Sequence, residues 1–449
     1  MTVYVRFAPS PTGYLHIGNI RAALYNYLFA RRQGGRFLLR LDDTDQERST
    51  PEYAAAIEED MRWLGLNWDA FEKQSARTVR YDEELERLKK SGRVYPCFET
   101  QGELDLKRKT QLGRGLPPVY DRAALKLTPE GVEKLIADGH KPHWRFKLDP
   151  IDVTWNDGVQ GPKSLPASAL SDPVIVREDG VPLYTFCSIV DDIDMGITHI
   201  IRGEDHVTNT SVQIQIWNAL TDKPAPAFAH YPLLVSADGT PMSKRLGTLS
   251  IRQMREESHI EAMAINSLLA KLGTSDPIAP YQDIETLAAS FDLGKISRAT
   301  PKFDMQDLKH LNAKILHQTP YAAIKDRLAA LQLADMTESF WNAVRPNLET
   351  LDDTRLWWEI THQPVASMLG EDAAFLADAA ALLPPAPWDE TTWSSWTNAV
   401  KAKTSRKGKE LFMPLRRALT GLDHGPEMKA LLPLIGYERS IKRLKGETA

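Results

Sequence analysis

The spacing of apolar and polar positions changes several times along the chain, and each change marks an element. Residues 3–8 alternate apolar and other side chains, the period of a strand, and residues 9–13, rich in proline and glycine, break it. Ile20, Ala23, Leu24, Tyr27 and Leu28 then recur at helical spacing until the Gly34-Gly35 pair stops them. Phe37-Leu38-Leu39-Arg40-Leu41 reads as a second, buried strand, followed at once by Asp42-Asp43-Thr44-Asp45. A strand–helix–strand unit of roughly 40 residues predicts the start of a parallel sheet, with a nucleotide site beyond the strand ends. Further helical patterns cover residues 52–64 and 81–91.

Between residues 94 and 171 the texture shifts. Short strand-like runs such as 144–148 alternate with turn clusters such as Trp155-Asn156-Asp157-Gly158, which predicts an insertion into the first domain. Sheet-like runs resume at 173–177, 183–190 and 197–201, and the run at 232–236 leads into Pro241-Met242-Ser243-Lys244-Arg245. From residue 251 the pattern is helical nearly to the end. Trp341, Trp357, Trp358, Trp388, Trp393 and Trp396 lie in that half, where large aromatic residues are expected to pack helices together.

Composition narrows the class. With 449 residues, 42% hydrophobic and 26% charged, the chain has the profile of a globular protein of two to four domains. No apolar run reaches the ~20 residues of a membrane helix, and residues 1–7 lack a signal-peptide pattern. Cys97 and Cys187 are the only cysteines and have no C-x-x-C spacing, so a reduced, cytoplasmic enzyme is expected. The net charge of −5 argues against indiscriminate coating of nucleic acid. Its distribution is uneven: residues 401–449 hold 12 Lys/Arg against 5 Asp/Glu, a local +7. A basic module on an acidic body suggests a polyanion held at one defined place.

The candidate chemistry lies in two stretches far apart. In Ala8-Pro9-Ser10-Pro11-Thr12-Gly13-Tyr14-Leu15-His16-Ile17-Gly18-Asn19 a glycine-bearing turn and a histidine stand where a strand hands over to a helix. Such a turn offers backbone N–H groups and a helix N-terminus to phosphates, with Ser10 and Thr12 adding hydroxyls. Residues 241–245 add a serine, a lysine and an arginine to the other side of a triphosphate clamp. Arg6, Asp42 and Arg202 stand at predicted strand ends and are expected to face the crevice. Two arginines there invite a ligand with carboxylates, which guanidinium forks take bidentately.

Residues 8–19 resemble the first signature of the class I aminoacyl-tRNA synthetases, in the form found in glutamyl-tRNA synthetases. Leu41-Asp42-Asp43-Thr44-Asp45, Val190-Asp191-Asp192-Ile193-Asp194, Ile201-Arg202-Gly203-Glu204-Asp205-His206, Pro241-Met242-Ser243-Lys244-Arg245, residues 303–312 and Met413-Pro414-Leu415-Arg416 resemble that family's later landmarks in order. The resemblance implies an α/β Rossmann-type catalytic domain split over 1–93 and 172–250. It implies an α+β insertion over 94–171 that grips the tRNA acceptor end, then an all-α half: a linking domain over 251–312 and an anticodon-binding domain over 313–449. Carried to matching positions, Arg6, Ala8, Ser10, Asp42, Tyr184, Ser188 and Arg202 would hold glutamate. Thr12, His16, Gly18, Asn19, Asp205, His206, Leu234, Met242, Ser243, Lys244 and Arg245 would hold ATP, with His16 and Lys244 catalytic. The reaction implied is a two-step ligation through glutamyl-adenylate. Its partners are L-glutamate, ATP with Mg²⁺, and glutamate or glutamine tRNA, and the enzyme is expected to be a monomer.

Three positions depart from the family pattern. Pro241 stands where the second signature usually begins with lysine, and Asp42 where many relatives carry glutamate. Only Cys97 falls where some relatives hold zinc, so no structural metal is expected there. Four other readings compete with glutamate ligation. Glutaminyl ligation shares the fold, and small-molecule nucleotidylyl transfer would leave the last ~140 residues idle. Glutamylation of a modified tRNA base belongs to truncated enzymes that would lack the anticodon module. A non-catalytic RNA-binding role is least expected, because Ser10, His16, Arg202 and Lys244 are all in place.

Overall fold

The computed structural model describes residues 2–242, 250–366 and 369–449. The chain divides into two compact units, Met1–Glu257 with Ile265–Asp304, and Ser258–Ala264 with Met305–Ala449.

In the first unit β1 (Tyr4–Phe7), α1 (Ile17–Arg32) and β2 (Arg36–Leu41) form the predicted strand–helix–strand unit, and the strands pair in parallel with Arg6 beside Leu38. After α2 (Pro51–Trp63), β3 (Ala70–Lys73) extends this ladder on the far side of β2. β3 went unpredicted because its four residues, Ala-Phe-Glu-Lys, are too short and mixed to show a period. α3 (Thr78–Lys90) follows.

Between α3 and the return to the parallel strands lie β4 (Val94–Cys97), α4 (Gln101–Gly113), α5 (Pro129–Ala137), β5 (His143–Phe146), β6 (Val153–Asp157), β7 (Gly161–Leu165) and β8 (Val174–Val176). β4, β5 and β8 make an antiparallel sheet, while β6 and β7 form a separate hairpin. Trp155, Asn156 and Asp157, read from sequence as turn residues, close β6 instead, and the turn spans 158–160.

The sheet-like run at 183–190 is a helix, α6 (Tyr184–Asp194). Its Thr, Ile and Val residues suit a strand, yet Phe186, Ile189, Val190 and Ile193 lie at i, i+3, i+4 and i+7. Packed against the core, that stripe prevails over the β propensity of the individual residues. β9 (His199–Gly203), α7 (Val207–Leu220) and β10 (Ala227–Tyr231) complete the parallel architecture, with β9 and β10 pairing so that Arg202 lies beside His230. α7 and β10 are absent from the sequence reading. The two parallel ladders adjoin through Thr198 and Tyr4: the Thr198 N–H donates to the Tyr4 carbonyl at 2.9 Å, and the Tyr4 N–H donates to Thr198 Oγ1 at 2.8 Å.

The second unit is helical. Trp341, Trp357 and Trp396 are buried in its core, with Trp358, Trp388 and Trp393 packed at the margin, the role expected of them. Among the described residues no helix is long and apolar enough to cross a membrane.

Candidate active site

A cavity of about 520 Å³ opens beyond the C-terminal ends of β1, β9 and β10, in the crevice where open parallel folds bind ligands. β1 and the loop after it bring Arg6, Ala8, Pro9, Ser10 and Thr12. The start of α1 brings His16, Gly18 and Asn19. Tyr184 comes from α6, Arg202, Asp205 and His206 from the end of β9, and Leu234 from the segment after β10. Most of the residues singled out in the sequence therefore converge. Arg21, Asn26 and Tyr231 line the same wall and were not anticipated. Arg21 is tethered there by its Nε–H donating to Tyr25 Oη at 3.0 Å and its Nη1–H to the Pro232 carbonyl at 2.5 Å.

His16 caps α1. Its Nδ1 accepts the Gly18 N–H at 3.1 Å, while its own N–H donates to Asn19 Oδ1 at 3.2 Å, a reciprocal capping arrangement. A ring whose Nδ1 accepts carries its proton on Nε2. Burial lowers the pKa of His16, which keeps the ring neutral. The α1 terminus thus offers a neutral N–H donor together with backbone N–H groups and the positive end of the helix dipole. Gly18 lets the His16 ring pack closely, since a Cβ there would stand 3.0 Å from His16 Cε1 and the ring would have to shift by a few tenths of an ångström.

The two arginines differ. Arg6 is already neutralised, with its Nε and Nη2 donating to the Asp192 carboxylate at 3.3 and 3.4 Å. Arg202, 6% exposed, meets no carboxylate among the described residues. Its donors reach Thr210 Oγ1 at 2.6 Å, Gln213 Oε1 at 2.7 Å, His230 Nε2 at 3.2 Å, and Tyr184 Oη and the His206 carbonyl at 3.5 Å. Burial lowers the Arg202 pKa. A desolvated cation satisfied in hydrogen bonds but not in charge favours an anion in the cavity it lines. Asp205 is the only acidic residue among the described residues lining that cavity.

Asp42 does not line the cavity. It faces Arg40, fully buried in β2, whose Nε donates to Asp42 Oδ1 at 2.7 Å and whose Nη1 donates to Asp192 Oδ1 at 2.9 Å. Arg40 Nε also lies 3.6 Å from Asp191 Oδ2, and Asp191 in turn accepts from Arg77 Nε at 2.7 Å. Burial raises the Asp42 carboxyl to about 6 against the pull of Arg40. The buried Arg40 guanidinium takes the carboxylate that the strand-end position was expected to offer a ligand. Ser188 is likewise buried in α6 and away from the cavity lining. Met242 is buried with its sulfur 3.6 Å from Ser236 Oγ, and Pro241 bridges to Val235. Ser243, Lys244 and Arg245 lie outside the described residues.

Arg40, which holds Asp42 and Asp192, and His230, which lies beside Arg202, were not anticipated. A charge inside the Phe-Leu-Leu-Arg-Leu run was a signal for the first; His230, within Ala-Phe-Ala-His-Tyr, carried a weaker one. Around Cys97 lies a small polar cluster. Lys107 Nζ stands 2.6 Å from Glu99 Oε1 and 3.1 Å from Asp121, and the Cys97 thiol donates to Glu99 Oε2 at 2.7 Å.

Comparison with known proteins bears on both units. Residues 2–310 match the family model described as tRNA synthetases class I (E and Q), catalytic domain, and residues 298–447 match an anticodon binding domain. The chain is 58% identical over 449 residues to the glutamate–tRNA ligase of Azospirillum brasilense, covering 100% of both proteins. It is 58% identical over 450 residues to glutamate–tRNA ligase 2 of Methylobacterium sp. (strain 4-46), again covering 100% of both. Among solved structures it is similar to a glutamate tRNA ligase from Elizabethkingia meningosepticum in complex with its amino acid. The TM-score is 0.85 at 27% identity, covering 99% of this chain and 98% of that one.

Proposed function

The chain belongs to the class I tRNA synthetases (E and Q), and from that premise we propose that it joins L-glutamate to tRNA in protein synthesis, using ATP. The observation that carries the choice of amino acid is Arg202, a buried guanidinium without a carboxylate partner among the described residues, in the cavity that the α1 terminus also lines. Arg202 takes the side-chain carboxylate of glutamate. An amide would leave that charge unpaired.

In the first step an oxygen of the glutamate α-carboxylate attacks the α-phosphorus of ATP. The bond to the bridging oxygen breaks, pyrophosphate leaves and glutamyl-adenylate forms. In the second, a terminal ribose hydroxyl of tRNA attacks the activated carbonyl and AMP departs. No side-chain nucleophile is needed; the work is orientation and stabilisation of developing negative charge. The His16 Nε2–H and the first N–H groups of α1 receive phosphate oxygens. Ser10 and Tyr184 border the amino acid, and Asp205, His206 and Leu234 border the nucleotide. Mg²⁺ would accompany the triphosphate and offset part of its charge, with phosphate oxygens and water as its ligands.

Residues 1–93 and 172–250 form the catalytic domain, 94–171 grip the acceptor end, 251–312 link, and 313–449, ending in the +7 segment, read the anticodon. Lys244 completes the clamp on the leaving phosphates. Lys244→Ala is expected to slow adenylate formation on the order of 10²-fold, about 3 kcal/mol, with little change in the glutamate KM. Single-turnover measurement with tRNA present checks this, and an unchanged rate removes Lys244 from the mechanism.

The direct test of the whole reading is to incubate the purified protein with ATP, radiolabelled glutamate or glutamine, and glutamate or glutamine tRNA separately. Glutamate is expected to reach the 3′ end of at least one tRNA, and glutamine of neither. Glutamine transfer alone, or no transfer with either amino acid, overturns it.

A further inference from the structure

The neutral acceptors around Arg202 are themselves held from an unexpected direction. The register of β9 and β10 sets His230 beside Arg202, and the Arg202 Nε–H points at His230 Nε2, 3.2 Å away. Thr210 Oγ1 lies 2.9 Å from the same nitrogen. For Nε2 to accept, the imidazole proton must be on Nδ1, and Nδ1 lies 2.5 Å from Asp157 Oδ2. The other oxygen, Asp157 Oδ1, accepts three backbone N–H groups, from Val159 at 3.1 Å, Gln160 at 3.0 Å and His230 at 3.0 Å. A carboxylate supplied with that many donors stays ionised; although burial opposes it, the bonds from His230 and the backbone hold its pKa below the usual range. Burial lowers the pKa of His230 and prevails over the raising effect of Asp157.

We propose that Asp157 is a positioning residue for amino-acid recognition: it holds His230 as the Nδ1–H tautomer, so that a lone pair rather than a proton faces Arg202 and keeps the guanidinium aimed into the cavity. The proposal rests on the reading above that Arg202 receives the glutamate side chain. The opposite tautomer would set an N–H against the Arg202 N–H, and two donors cannot bond each other. An imidazolium would add a second buried cation beside the first.

The origin of Asp157 gives the arrangement a wider meaning. It ends β6, in the segment read as the grip on the acceptor end, and Gly158 donates its N–H to the Phe228 carbonyl of β10 at 2.8 Å. Gln160, in the same turn, donates to Glu204 Oε2 at 3.2 Å, one residue before Asp205. One hairpin turn therefore contacts residues directly behind the cavity wall at two places, His230 beside Arg202 and Glu204 beside Asp205.

The tautomer is read directly on the wild-type protein by NMR of ¹⁵N-labelled histidine. His230 is expected to show a protonated Nδ1 and an unprotonated Nε2 at neutral pH, and an Nε2–H tautomer or an imidazolium overturns the proposal. Asp157→Asn is isosteric, but its amide N–H₂ turned to Nδ1 reverses the tautomer, as the corresponding change does in a serine-protease triad. It is expected to raise the glutamate KM about 10-fold, leaving the ATP KM within about twofold. His230→Gln keeps an acceptor oxygen for Arg202 and has no tautomer to lose, so Asp157→Asn added to it should change the glutamate KM by less than about twofold. Equal effects on both substrates, or an undiminished effect in the His230→Gln background, mean that Asp157 serves only stability. Arg202→Gln tests the reading of Arg202 separately, so an unaltered glutamate KM in Asp157→Asn alongside an impaired Arg202→Gln would refute the positioning role alone.

Discussion

Arg202→Gln is expected to lower kcat/KM for glutamate about 10²–10³-fold, the largest loss from any single change in the amino-acid pocket. Removing one partner of a desolvated charge pair costs about 2–5 kcal/mol, and each 1.4 kcal/mol is a factor of ten. The loss belongs mainly to glutamate, because Arg202 touches Tyr184, Thr210, Gln213 and His230, and of the nucleotide-bordering residues only the His206 carbonyl at 3.5 Å, not the α1 terminus that faces the phosphates. Glutamine, which carries no charge to lose, is expected to lose much less, so discrimination between the two narrows. Pyrophosphate exchange measured with tRNA present, for each amino acid and for ATP separately, checks this. Wild-type kcat/KM for glutamate in the variant would mean that the carboxylate is read elsewhere, and the assignment of the pocket would fall with it.

Arg40→Met has its main effect on stability. Arg40 is 0% exposed and bonds Asp42 and Asp192, with Asp191 beside it. Burial lowers its pKa, but the three aspartates raise it further, so the cation persists. Methionine fills much of the volume but leaves aspartates in the interior without their shared cation, at a cost of about 3–5 kcal/mol. For a unit of this size that lowers the melting temperature by roughly 10 °C. Asp192 is also the partner of Arg6, so the surviving folded protein should show a weakened glutamate KM, coupling a stability residue to the pocket. Differential scanning calorimetry with parallel kinetics is the measurement. A melting curve superimposed on that of the wild type would show that these aspartates do not depend on Arg40.

Much of the site was legible because its signals are local. The break after β1, the glycine at residue 18 and the histidine before it act within a few residues of one another, and helix capping is itself a short-range interaction. Arg6 and Arg202 were placed at the crevice by strand position alone, and both line it. The same logic misplaced Asp42, since being at a strand end says nothing about which neighbour claims the carboxylate. It also missed that 183–190 is a helix, where β-branched residues obscured a helical stripe that only packing rewards.

What the amino-acid order determined by itself, then, was the opening strand–helix–strand unit, the first signature turn, the helical second half and the family to which the chain belongs, because periodicity, turn chemistry and motif spacing are written along the chain. What the tertiary structure alone decided was the charge state of the pocket. Arg6 finds Asp192 across 186 residues, His230 finds Asp157 across 73, and Arg202 finds no carboxylate among the described residues. Pairing in a low-dielectric interior depends on distances of a few ångströms between side chains that the chain itself keeps far apart, so only the folded arrangement of β1, β9, β10, α6 and the β6–β7 hairpin leaves one guanidinium neutralised and the other ready for substrate.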